Sequence, residues 1–137
     1  MALTAADVKA RALDIGFDLC GIAAPGDYRE LRYLDEWIAR GYAGEMRYMA
    51  RSARRRADVR HVLPSARSVI SLGTVYNTDR PYSTEVDDRD EALISRYAWG
   101  ADYHAVLERR CQALLAWMRA SGPEALDARV YVDTGPV

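Results

Sequence analysis

The chain has 137 residues, 50% of them hydrophobic, with 19 Lys plus Arg against 20 Asp plus Glu and a net charge of −1. That length and apolar content suit one domain with a real core, and they exclude low-complexity disorder and a comfortable two-domain layout. Two cysteines far apart, Cys20 and Cys111, exclude a disulfide scaffold, and charges near the N-terminus with no long apolar run predict a cytoplasmic chain with no signal peptide and no membrane contact.

Thr4 and Asp7 have capping-box spacing, Val8, Ala12 and Ile15 recur at helical intervals, and Gly16 is a natural stop, so a helix is predicted over roughly 5–15. Phe17 to Ala23 alternates and mixes β-formers before Pro25-Gly26, which reads as a short strand closed by a turn. Leu31, Leu34, Trp37 and Ile38 share one helical face that ends at Gly41. From Gly41 to Arg60 the pattern breaks, and a short helical turn followed by a basic surface segment is expected. Ser68 to Tyr76 is β-branched and apolar on both faces, the signature of a strand central in its sheet. Residues 77–92, with Pro81 and the acidic run from Glu85, read as a long exposed loop. Asp102 can cap a helix whose stripe is Val106, Leu107, Cys111, Leu114 and Met118, stopped by Gly122-Pro123, and Arg129 to Val132 returns as a strand. Alternating helices and strands imply an α/β or α+β layer structure.

Three places can carry chemistry. Asp133 follows the apolar strand-like run Val130-Tyr-Val132, at the kind of strand end where open sheets place reacting groups. A carboxyl partly sheltered there could hand over a proton; a turn-forming Asp bonded to nearby amides is the alternative. Arg54, Arg55 and Arg56, with Arg51 and Arg60, form an anion cradle or a solvated charge run. Eighteen of the 19 basic residues are Arg, which reads as codon bias, and a net charge of −1 gives no general pull toward nucleic acid. Ile94 to His104 packs Tyr97, Trp99 and Tyr103 with Ser95, Arg96 and an imidazole, a set suited to a flat, large ring, or to a plain helix entry. His61 and His104 do not make a metal site, and two cysteines cannot hold a four-iron cluster.

Four strings together resemble one family: Gly44-Glu-Met-Arg-Tyr-Met-Ala50 running on to Arg56-Ala-Asp58, Leu63-Pro-Ser-Ala-Arg-Ser-Val-Ile-Ser-Leu-Gly73, Ile94-Ser-Arg-Tyr-Ala-Trp-Gly-Ala-Asp-Tyr-His104 and Val132-Asp-Thr-Gly-Pro136. Their order and spacing are similar to the N-terminal, cobalamin-binding portion of epoxyqueuosine reductases. The resemblance implies a cobalamin-dependent oxidoreductase that removes the epoxide oxygen of epoxyqueuosine at the tRNA wobble position, the last step of queuosine synthesis. It implies an α+β domain with a mixed sheet covered by helices, like the nitroreductase-like cobalamin-processing fold. Position by position, Asp133 matches the family's proton donor and a cofactor contact, Arg56 matches a cobalamin contact, and Ser95 falls at another, where some relatives carry Cys. Arg96, Tyr97 and His104 lie in matching strings without an assigned role.

Val59 departs from the family's usual Pro. The chain also stops before the ferredoxin-like part with its two 4Fe-4S clusters, so a fold incomplete at the C-terminus, with no metal site of its own and no turnover alone, is expected of residues 1–137. The tRNA partner would then be contacted mostly outside this segment, by a monomer. A non-catalytic cobalamin carrier, or an interaction domain using Arg51 to Arg60 on an acidic partner, are the other readings.

Overall fold

A computed structural model describes residues 3–86, 93–122, 125–133 and Gly135. The elements are α1 (Ala5–Ile15), β1 (Leu19–Ala23), α2 (Arg29–Ala39), α3 (Arg47–Ala57), β2 (Val69–Gly73) and α4 (Tyr103–Ser121), with single 3-10 turns at Val59–His61, Ser83–Glu85 and Arg96–Ala98. This is a small α+β domain.

α1 begins and ends where local chemistry dictates. The Thr4 hydroxyl accepts from the Asp7 amide while the Asp7 carboxylate accepts from the Thr4 amide, a complete capping box. Gly16 closes the helix at φ 105, a left-handed conformation that costs a side-chain-bearing residue energy. The chain then turns directly into the sheet: the Asp18 amide donates to the Gly73 carbonyl at 2.9 Å, and the Asp18 carboxylate accepts from the Val75 amide at 2.8 Å.

β1 and β2 pair antiparallel, with Leu19 opposite Gly73 and Ala23 opposite Val69. Cys20 and Leu72, directly opposed, face the core, where Ala12, Phe17 and Leu114 are buried and Leu107, Cys111, Trp117 and Met118 pack against them. α1 and α4 thus cover the pair, and the expected stripe of α4 is the surface that does so. Arg110 donates to the Gly16 carbonyl at 2.8 Å, binding α4 to the end of α1. α2 packs against α3.

Several expectations are corrected. Among the described residues the sheet is an antiparallel pair in place of the expected mixed sheet, and β2 has β1 as its one neighbour there rather than lying centrally. An apolar run on both faces records what side chains can bury, not what stands beside the strand; here Ser71 is exposed and its flanks are half-buried. Residues 129–132 are irregular backbone rather than a strand: β-branched and aromatic content suits a pleated surface but does not create one. The short turn and basic surface expected over 41–60 are instead an 11-residue helix, α3. Arg is a good helix former, and the half-buried Met49 and Arg56 and buried Ser52 give α3 an inward side. The acidic run lies mostly outside the described residues, as do Pro123, Thr134, Pro136 and Val137.

Candidate functional site

Within the basic run Arg56 stands apart. Arg51, Arg54, Arg55 and Arg60 are exposed, whereas Arg56 is half-buried and doubly tethered. Its Nε donates to the Ser52 hydroxyl at 3.0 Å, and that hydroxyl itself donates to the Tyr48 carbonyl at 2.6 Å, which is how a serine is tolerated inside α3. Its Nη2 reaches across 79 positions to the Gly135 carbonyl at 3.2 Å. Nη1 has no hydrogen-bond partner among the described residues. On its other side Arg56 borders an open groove of about 350 Å³ between α2 and α3, lined by Leu31, Leu34, Trp37 and Met49. Arg60 is occupied differently: it grips Asp58 at 2.6 Å and holds that carboxyl down at about 2.

Gly135 is buried, and a Cβ there would collide with the Tyr131 ring, so only glycine lets the chain pass at this point. Two residues earlier Asp133 adopts φ 54, the left-handed region that Asp and Asn tolerate better than other side chains. The partial shelter expected for Asp133 is not found: the residue is exposed, because the segment before it is not a strand tucked into a sheet. Its carboxylate accepts a hydrogen bond from the Tyr103 hydroxyl.

Tyr103 is the first residue of α4, after Asp102, whose carboxylate caps the helix by accepting from the His104 amide at 2.9 Å. The Tyr103 ring meets Tyr97 edge-on with centroids 5.9 Å apart and stacks on His104 at 4.1 Å, and Tyr97 in turn meets Tyr76 edge-on at 6.3 Å. The hydrogen bond to Asp133, together with burial and the nearby negative charge, pushes the Tyr103 phenol up to about 12.

The aromatic row is held by Arg96. Its guanidinium donates to the Thr78 carbonyl at 2.9 Å, the Arg80 carbonyl at 2.6 Å, the Pro81 carbonyl at 3.0 Å and the Asn77 side chain, while lying 4.2 Å from the Tyr82 ring centroid. It therefore clamps the 77–82 loop onto the segment carrying Ser95 and Tyr97. Ser95 is exposed at the start of the Arg96–Ala98 turn and its hydroxyl makes no capping bond.

The three places singled out in the sequence thus converge: Arg56 on Gly135, Asp133 on Tyr103, and Tyr103 on Tyr97, two residues from Ser95. Among the described residues no hydrogen bond or ion pair joins Arg56, Ser95 and Asp133 to one another. Arg96, Tyr97 and His104 have no role assigned from sequence and Tyr103 has only a place among the aromatics; the partners of Arg96 and Tyr103, 15–19 and 30 positions away, carry no local signal. No helix among the described residues is long and apolar enough to cross a membrane, and no described cluster of His, Cys, Asp or Glu could hold a metal ion.

A family model described as epoxyqueuosine reductase QueG, DUF1730, matches residues 56–134. The chain is 45% identical to the epoxyqueuosine reductase of Gloeobacter violaceus over 139 aligned residues, covering 100% of this chain and 41% of that protein. It is 46% identical to the Synechocystis enzyme over 104 residues, covering 76% and 34%, and 35% identical to that of Leadbetterella byssophila over 133 residues, covering 96% and 42%. The chain therefore spans about two fifths of the length of the curated relatives it matches. No solved structure matches it.

Proposed function

The chain belongs to the epoxyqueuosine reductase family, and from that premise we propose that it supplies the N-terminal, cobalamin-binding part of a cytoplasmic, monomeric reductase that converts epoxyqueuosine to queuosine in the tRNA wobble position. The observation that carries this reading is the convergence of Arg56 and Tyr103 on residues 133–135, which fixes a charged donor and an exposed carboxyl on one short segment. A fold of the nitroreductase-like cobalamin-processing kind, with an iron-sulfur part supplied by further chain, belongs to the same proposal.

The chemistry is loss of an epoxide oxygen as water: two carbon–oxygen bonds break, and two electrons and two protons enter. Cobalamin, when bound, would supply the electrons at carbon. Asp133 would deliver a proton to the departing oxygen, converting a poor leaving group into a neutral one. The residues present fit a corrin's edge, which carries amide side chains. Among the described residues Arg56 keeps Nη1 without a hydrogen-bond partner beside two committed donors, the Ser95 hydroxyl is exposed with no capping bond, and Tyr76 and Tyr97 leave 63% and 51% of their surface open.

The test is a titration of the purified chain with cobalamin, read by corrin absorption. A saturable spectral change that weakens in Arg56→Ala, but not in Arg55→Ala, is expected. An unchanged spectrum at high protein concentration would count against the cofactor site, and equal weakening by both substitutions would indicate only a general basic surface.

A further inference from the structure

We propose that Tyr103 is a positioning residue for Asp133, its phenol holding one carboxylate oxygen so that the other is presented to the substrate oxygen. The proposal rests on the reading of Asp133 as proton donor and adds the group that aims it.

Asp133 needs such a group. It lies outside any helix or strand, it is exposed, and the Tyr103 hydroxyl is the one hydrogen-bond donor to its carboxylate among the described residues. Tyr103, by contrast, sits on the first position of a 19-residue helix whose cap is made by Asp102. Its ring is held edge-on by Tyr97 and stacked by His104. A rigid phenol thus meets a loosely supported carboxyl, so the phenol sets the geometry of the pair.

A phenol that donates to Oδ2 leaves Oδ1 as the oxygen that carries the acid proton. When that proton moves, the O–H bond at Oδ1 breaks, a bond to the substrate oxygen forms, and the negative charge remains on the carboxylate. The hydrogen bond from Tyr103 is then charge-assisted, so the phenol still holds Oδ2 once the proton has left. The phenol keeps its own proton throughout, because Asp133 and burial hold it near 12, with Asp102 and Tyr97 adding smaller pushes in the same direction.

Two measurements test the proposal. In the first, 3,5-difluorotyrosine, whose free phenol titrates near neutrality, is placed at position 103 of this chain and followed by fluorine NMR. Its titration is expected to lie at least about one pH unit higher than in the same protein carrying Asp133→Asn; coincident titrations overturn the pairing. In the second, the chain is joined to the remaining part of the Gloeobacter violaceus relative and epoxyqueuosine reduction is followed. Tyr103→Phe is expected to lower kcat about tenfold with KM unchanged. If Asp133→Asn abolishes turnover while Tyr103→Phe matches the parent, the positioning role is overturned and the proton-donor reading stands. If Asp133→Asn remains active, the proton-donor reading itself fails and the positioning role falls with it. Should the joined protein not fold, the fluorine titration decides alone.

Discussion

Leu114→Ala tests the placement of the core. Leu114 retains 3% of its surface and packs with Ala12 and Phe17 where α4 crosses α1, so truncation removes three carbons from a water-free site. At roughly 0.8 kcal/mol per buried carbon group the transfer contribution is about 2–3 kcal/mol, and the residual cavity adds to it. Cys111 and Met118 line the same cluster and can partly fill the gap, which keeps the expected cost near the lower end of the range for Leu-to-Ala changes. Urea unfolding followed by circular dichroism should show a lower midpoint with unchanged slope, and the melting temperature should fall by about 6–15 °C. Leu31→Ala is the control: Leu31 is only half-buried on the open groove of α2, and its loss should cost less than about 1 kcal/mol. Equal costs for the two substitutions would refute the assignment of the core to the α1, α4 and sheet cluster.

Further outcomes follow from local geometry. Thr4→Ala removes the hydroxyl half of the capping box and leaves the Thr4 amide's bond to Asp7, and should lower stability by about 1 kcal/mol in thermal melts, whereas Thr4→Ser should be close to neutral. Asp58 is held down at about 2 by the Arg60 side chain and amide; NMR titration should place its midpoint there, and Arg60→Ala should return it toward the ordinary carboxylate range. The sign follows: the Asp58–Arg60 contact is fully present above the ordinary carboxylate range and is lost as pH falls toward 2. Arg56→Lys keeps the charge but cannot bridge Ser52 and Gly135 with one planar fork, so amide exchange over residues 131–135 should quicken by about tenfold. Unaltered exchange there would show that the bridge does not hold the segment.

What the sequence made legible was local. The ends of α1 are written in Thr4, Asp7 and Gly16, and the start of α4 in Asp102, because each acts on amides within a few positions. α3 escaped notice because a run of arginines reads as a solvated surface, while the side chains that turn it inward, Met49, Ser52 and Arg56, are spaced by three and four among those charges. The neighbours of β2 and the fate of residues 129–132 depend on pairing across long separations, which apolar content does not encode. The site followed the same rule. Matching strings single out Arg56, Ser95 and Asp133, but the bridge to Gly135 and the bond from Tyr103 link residues 79 and 30 positions apart.

The left-handed backbone at Asp133 places two separate demands on one position. The proposed chemistry asks for a carboxylic acid; the turn asks for a residue that accepts positive φ, which favours Gly, Asn and Asp. Aspartate alone satisfies both. Glutamate, although an acid of similar strength, would strain the turn and add one carbon between backbone and carboxyl, so it would meet neither demand as aspartate does.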